Sequence, residues 1–253
     1  MNSYIEYQAK IANETPGTLN EIDGFHCDKC NNKGVFYFEK DGELYSKKCE
    51  CRKTRKAIRA LKDSGLMEAI KVKTFDTYKT ENEWQAQIKK SAISYCQNPL
   101  GKWFFIGGQS GAGKTHICTA ICGEYLRKGI PVRYMIWSEE ARRLKANRNN
   151  DEAYNNLIEP FKAVDVLYID DFLKTKSGTE PTPADINVAF EIINARLARK
   201  KKTIVSSEYV LDELLLFDEA TISRISEEAK YYIFNIDKDP TKNYRIEQNH
   251  DFD

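Results

Sequence analysis

Short unbroken apolar runs, each bounded by glycine, proline or charge, alternate along residues 100–236 with stretches in which apolar residues recur every three or four positions. A strand covered on both faces has no polar face to show, so the runs suit buried strands; the second spacing suits helices laid on such a sheet. The strand pattern falls at Lys102–Gly107, Val132–Trp137, Val164–Ile169, Thr203–Glu208 and Tyr231–Ile236. Helices are expected from Glu81 to Tyr95 and from Lys114 to Lys128, the latter closed by Gly129 and Pro131. A third starts after Thr182, with Pro183 at its first position, Asp185 at its third, and Ile186, Ala189, Ile193 and Leu197 along one face. The alternation predicts an α/β fold with a parallel sheet flanked by helices.

The N-terminal stretch is patterned differently. Val35–Phe38 and Glu43–Ser46 flank Asp41-Gly42, the dipeptide of a two-residue hairpin turn. Arg52–Lys62 is a basic, helix-compatible run with Ile58 and Leu61 as its few apolar points. It is expected to be mostly a solvated face, with contact to nucleic acid or an acidic partner as the sharper alternative. Gly65 breaks it, which sets the expected boundary between an N-terminal module, residues 1–64, and a larger domain, residues 65–253. Within Met1–Asp23, Tyr4, Ile5 and Ile11 suit a short partner-binding helix.

Lys and Arg number 39 against 38 Asp and Glu, a net charge of +1. No global basic field advertises nucleic acid, so such a partner needs a local patch. No apolar leader and no stretch of membrane-span length is found, and the chain is expected to be cytoplasmic with no membrane partner. The odd count of seven cysteines argues against a disulfide framework. Four of them cluster as Cys27, Cys30, Cys49 and Cys51. Asn31, Asn32 and Gly34 make a tight turn after the first pair, and the hairpin returns the second pair to it, which suits tetrahedral zinc. Four free thiols in a loop are the plainer alternative, and His26 is a substitute ligand. Cys96, Cys118 and Cys122 lie in helical or apolar surroundings.

Gly108-Gln109-Ser110-Gly111-Ala112-Gly113-Lys114-Thr115 matches G-x-x-x-x-G-K-[ST] at every fixed position, between an expected strand and an expected helix. The glycines let backbone N–H groups face a β-phosphate, Lys114 reaches the β and γ oxygens, and the Thr115 hydroxyl ligates Mg²⁺; His116 is counted with this loop. The strand Val164–Ile169 ends in Asp170-Asp171, the form of a Walker B motif. Asp170 is assigned to Mg²⁺ and Asp171 to the base that polarises water. Polar residues at the tip of the strand from Thr203 sit where a γ-phosphate sensor would; Ser207 is preferred, with Glu208 as the alternative. Arg224 lies in a helical stretch before the last strand, from where it reaches a neighbouring subunit's γ-phosphate if the protein is a homo-oligomer. Arg142, Arg143, Lys145 and Arg148 are the expected contacts to single-stranded DNA, against the alternative of a solvated helix. Phe75 packs beside a nucleotide base or in the core.

These elements together resemble the helicase-loader branch of the AAA+ ATPases, the DnaC/DnaI type, and especially versions encoded by phages of Gram-positive bacteria. The resemblance runs through the Cys27–Cys51 module, Thr74-Phe75-Asp76, Gly107–His116, Asp170-Asp171, Ser206-Ser207-Glu208 and Ser223-Arg224-Ile225. It implies a P-loop NTPase with a reduced lid and an N-terminal zinc-binding hairpin module. It implies an ATPase that uses ATP, Mg²⁺ and Zn²⁺, engages the replicative helicase and places it on single-stranded DNA. Arg224 matches the branch's arginine finger and Arg245 is a candidate second sensor. The branch commonly has Thr-Ser-Asn at the sensor, which leaves Ser207 and Glu208 both open. The rivals are a transposition helper ATPase of the IstB type, a small-molecule kinase on the same loop, and a passive zinc adaptor.

Overall fold

Asp41 and Gly42 carry φ of 55° and 81°, the left-handed backbone that a two-residue hairpin turn requires and that Asp and Gly tolerate. The computed structural model describes residues 2–63, 66–98, 103–175 and 179–247. Gly65 and Lys102, expected as a break and a strand start, and the side chain of Leu61 lie outside the described residues. The chain divides into two units, residues 1–63 and 64–253.

The first unit runs α1 (Asn2–Glu14), α2 (Leu19–Asp23), β1 (Val35–Lys40), β2 (Glu43–Lys48) and α3 (Cys51–Asp63). Strands β1 and β2 pair antiparallel from Val35 opposite Lys48 to Lys40 opposite Glu43. Asn13 of α1 serves as a substitute strand partner: its amide donates to the Tyr37 carbonyl at 2.8 Å and accepts from the Tyr37 N–H at 2.9 Å, which satisfies backbone groups at the sheet edge. Tyr4, Tyr7 and Ile11 of α1 remain exposed. The expectation of a mostly solvated α3 fails at Arg55. Its guanidinium is buried, pairs with Asp23 at 2.5 Å and donates to Asn32 at 3.1 Å. A basic residue on the inner face of a helix stays charged because a buried carboxylate meets it.

The second unit runs α4 (Leu66–Val72), α5 (Glu83–Gln97), β3 (Trp103–Gly108), α6 (Lys114–Arg127), β4 (Val132–Ile136), α7 (Trp137–Ala146), α8 (Asp151–Ala163), β5 (Val166–Asp170), α9 (Pro183–Ala198), β6 (Lys202–Ser206), α10 (Leu211–Phe217), α11 (Glu219–Ala229), β7 (Ile233–Ile236) and α12 (Tyr244–Glu247). All five strands are parallel, in the order β4-β5-β6-β3-β7. Every residue of β3 and β5 is buried, which is why the sequence shows apolar runs there and no alternation. Trp137, expected to end a strand, instead opens α7 and packs edge-on against Phe172 at 5.1 Å between centroids. Thr182 and Asp185 form the expected capping box on α9: the Thr182 hydroxyl accepts from the Asp185 N–H and the Asp185 carboxylate accepts from the Thr182 N–H.

Arg196 of α9 is fully buried without a carboxylate against it among the described residues. It donates to Thr203 Oγ1 at 2.9 Å, to the Phe161 and Val164 carbonyls at 2.7 and 3.0 Å, and to the Lys202 carbonyl. The C-terminal carbonyls of α8 carry the negative end of the helix dipole, so they suit a buried cation. No helix among the described residues is long and apolar enough to cross a membrane.

This order places β6 between the loop-bearing strand β3 and the acid-bearing strand β5. Pairing Ile106 with Ser206 and Ile169 with Val205 brings the C-terminal ends of all three strands to one edge. Ligands of open parallel sheets bind at that edge.

Candidate functional site

At the last residue of β3 the chain turns through Gly108 with φ 105°, where a Cβ would lie 1.9 Å from the Ile236 carbonyl oxygen, so no other residue fits. Gly113, φ 84°, then delivers the chain into α6, whose first residue is Lys114. The free N–H groups and dipole of this helix end favour an anion. Lys114 is buried, and its ammonium donates to the Gly108 and Gln109 carbonyls, each at 2.7 Å. Burial pulls its pKa below the usual lysine range, and the charges of Glu208 and Asp171 push back against that pull. The loop borders a cavity of about 390 Å³ that Thr115, Asp170, Asp171 and Glu208 also line.

Asp170 ends β5 in a ring of hydroxyls. Tyr134 donates to one carboxylate oxygen at 2.7 Å; Tyr168 donates to the other at 2.7 Å, joined by Ser206 and by Thr115 at 3.4 Å. Burial, reinforced by the Asp170 charge, pushes both phenols well above the ordinary tyrosine range, so they remain donors. Asp170 and the Thr115 hydroxyl thus present adjacent hard oxygen atoms, the donor set that Mg²⁺ takes. Asp171 follows with φ 54°, a left-handed turn that aims its carboxylate into the same cavity.

The preferred sensor is corrected by the parity of the strand. Ser207 is fully buried, and its hydroxyl donates to the Phe172 carbonyl at 2.9 Å, away from the cavity. Its neighbours on either side face the site instead: Ser206 on Asp170, and Glu208 on the cavity wall. Burial would raise the Glu208 carboxyl, but Lys174, Lys114 and Ser110 hold it below the usual range.

Lys174 was not anticipated. Its ammonium lies 3.1 Å from Asp171 and 2.9 Å from Glu208, bridging two carboxylates in the cavity. The available signal was its spacing, three residues after Asp171. Replacing Lys174 with Met leaves two carboxylates facing an incoming polyanion; ATP affinity is expected to fall roughly tenfold, about 1.4 kcal/mol, by titration with a fluorescent ATP analogue. Unchanged affinity would show that the bridge only braces the loop.

Other expected residues are placed as follows. His116 donates from Nε2 to the Thr74 carbonyl, 2.9 Å away, and stands edge-on to Tyr78; burial lowers its pKa. Phe75 is buried. Arg245 lines the cavity, and Asn243 lies against Gly111. Arg224 does not line it; the guanidinium donates to the Ala220 carbonyl at 2.5 Å and stacks over Phe190 at 5.2 Å. Arg142, Arg143 and Arg148 are exposed, with Arg143 paired to Glu140 at 2.9 Å. Lys145 departs from the expected DNA set: it is half-buried and pairs with Asp185 at 2.6 Å, tying α7 to the cap of α9.

In the first unit the four clustered thiols are all buried, and their sulfur atoms lie within 4.8 Å of one another. Cys27 and Cys49 are 3.9 Å apart, Cys30 and Cys51 3.6 Å. A tetrahedron with bonds of about 2.3 Å has edges of about 3.8 Å, so the set fits zinc. The turn after the first pair uses Asn31, Asn32 and Gly34 at φ 47°, 62° and 75°, and Gly34 N–H donates to Cys30 Sγ at 3.2 Å. Burial opposes ionisation of Cys30, but this N–H and the neighbouring thiols bring its pKa down; burial pushes Cys49 up and Cys51 up to about 12. His26 is corrected as a ligand: its ring is exposed, held by Asp28 at 2.8 Å and Asn32 at 3.0 Å, and outside the sulfur cluster.

The sequence model of the IstB-like ATP binding protein family matches residues 27–226. The uncharacterized protein YqaM of Bacillus subtilis is 32% identical over 224 residues, covering 82% of this chain and 67% of YqaM. The replicative helicase loader DnaC of Escherichia coli is 26% identical over 188 residues, covering 72% of this chain and 75% of DnaC. A crystal structure of DnaI superposes with a TM-score of 0.56 at 19% identity, over 68% of this chain and 93% of that one. A structure of a DNA replication initiation factor matches with a TM-score of 0.54 at 20% identity over 70% of this chain, which spans about half (53%) of that protein. At these identities the two structures speak to the fold, a P-loop core of the AAA+ type.

Proposed function

We propose, for a chain that belongs to the IstB-like ATP-binding protein family, the function of an ATP-driven loader that places a replicative DNA helicase on single-stranded DNA. The observation that carries this reading is the likeness to a protein named as a replicative helicase loader, spanning 72% of this chain. The cavity at the loop supports it by its chemistry. Its lining is charged, which suits a triphosphate and offers no apolar seat for the acceptor of a small-molecule kinase.

In this reading Lys114 and the N-terminus of α6 hold the β and γ phosphates. A magnesium ion held by Thr115 and Asp170 would neutralise charge on the phosphoryl oxygens. Asp171 orients and deprotonates the attacking water, and Lys174 fixes that carboxylate against Glu208. Arg224, remote from its own cavity, acts on the next subunit of a homo-oligomer. The four cysteines hold zinc in a module that meets the helicase, Arg142, Arg143 and Arg148 meet the DNA strand, and the protein works in the cytoplasm.

A second reading, a transposition helper of the IstB type, is supported by the family description itself. One experiment separates them: capture of purified replicative helicase and of transposase on the immobilised chain, with and without ATP and single-stranded DNA. The loader reading expects helicase capture that ATP changes. It further expects Asp171→Asn to slow turnover roughly a hundredfold and to retain the ATP-bound grip. No helicase capture in any nucleotide state refutes it, and capture of the transposase instead selects the second reading.

A further inference from the structure

The N-terminal unit contains a second cavity, about 520 Å³, lined by Leu19 of α2, Lys48 of β2, and Arg52, Lys53, Arg55, Lys56 and Arg59 of α3. Residues 1–63 are nearly balanced in charge, with twelve Lys and Arg against ten Asp and Glu. Half of those cations border this one cleft, and among the described residues no carboxylate lines it. Segregation of that kind inside a balanced unit is a local field, of the sort that composition could not reveal.

Arg55 is committed: it pairs with Asp23 and donates to Asn32, whose side-chain oxygen also accepts from the Cys27 N–H, fastening the cleft's floor to the cysteine cluster. The other five cations are exposed and take part in no ion pair or side-chain hydrogen bond among the described residues. Arg52, Lys56 and Arg59 follow one another at helical spacing along one face of α3, a row of about 10 Å. The cations therefore form a line, without the convergence that seats a single small anion. A line of unpaired positive charges matches a repeating anion, and Leu19 alone gives a peptide little to anchor on.

We propose that this cleft binds the phosphate backbone of a single nucleic-acid strand. The inference goes beyond the loader reading, which places the strand on the arginines of α7 and beside it, and it holds whether or not a helicase is captured. Phosphate contacts of this type give affinity without sequence preference and weaken as salt rises.

The test is fluorescence anisotropy of a short labelled oligothymidylate with the full chain across a salt series. The variant carrying Arg52→Glu, Lys56→Glu and Arg59→Glu is expected to bind at least about tenfold more weakly, and to flatten the log–log salt dependence by about 2. The charge-keeping variant with Arg52→Lys and Arg59→Lys should bind like the parent, because a phosphate accepts a point charge. Zinc content and ATP turnover should be unaltered in both, which separates loss of charge from loss of fold. Equal binding by the charge-reversed variant overturns the proposal. So does displacement of the strand by polyglutamate at matched charge, which would assign the cleft to an acidic protein. A chain that fails to capture helicase yet shows the expected salt behaviour retains this inference and loses only the loader reading.

Discussion

Lys114→Ala is expected to lower affinity for ATP by roughly a hundredfold and to remove measurable hydrolysis, with the fold intact. The ammonium sits beneath the loop with Gly108 and Gln109 carbonyls at 2.7 Å, and Asp170, Asp171 and Glu208 share its cavity. Without it, the cavity confronts a polyanion with three carboxylates and loses a cation at contact range. One charge pair at about 5 Å in an effective dielectric near 20 is worth about 3 kcal/mol, or two orders of magnitude in affinity. The fold has little stake in this ammonium. Burial already disfavours its charge, as its lowered pKa shows, so alanine removes a desolvated cation along with two hydrogen bonds. Calorimetric titration with ATP and a urea melt check the two halves separately. Wild-type affinity in the variant would mean that the loop's N–H groups alone hold the nucleotide; a collapsed urea midpoint would mean that Lys114 is structural.

Features written into contiguous residues were legible in the sequence. The turn at Asp41-Gly42, the glycines of the loop and the Thr182 cap each follow from a few neighbouring residues, because each answers a local backbone demand. The inward facing of Ser207 was not legible. At the tip of β6 a single step reverses which side of the sheet a side chain meets, and nothing in Ser206-Ser207-Glu208 says where the parity begins. The hydroxyl ring on Asp170 was also hidden, since Tyr134 and Tyr168 come from β4 and β5 and meet only through the pairing of Tyr134 opposite Tyr168. Arg55 and Lys145 show the opposite limit. Each looked like one charge among several in a basic stretch, and each is spoken for by a carboxylate far along the chain, Asp23 and Asp185.

Removing zinc should unfold the N-terminal unit and spare ATP binding by residues 64–253. The reason is how little else the unit buries. Its described buried apolar residues are the four cysteines with Ala9 and Ile58, Phe25 and Phe36 are only partly covered, and β2 is exposed along its whole length. A unit of this size is marginal without a staple, whereas a structural zinc ion contributes on the order of 10 kcal/mol. Protons compete for the same sulfurs. Metal-free Cys49 and Cys51 have raised pKa values, Cys51 at about 12, so these thiols are protonated at neutral pH and must each release a proton to bind the ion. The metal's contribution is therefore fully present at high pH and is lost as pH falls. Hydrogen exchange read by mass spectrometry, before and after chelation and again with Cys49→Ser, gives the decisive record. Protection across residues 23–58 should vanish in both cases, while ATP-induced protection of Gly108–Thr115 persists. Undiminished protection in the chelated chain would show that the Asp23–Arg55 pair and the hairpin hold the unit together without metal, and would leave the four thiols without a structural task.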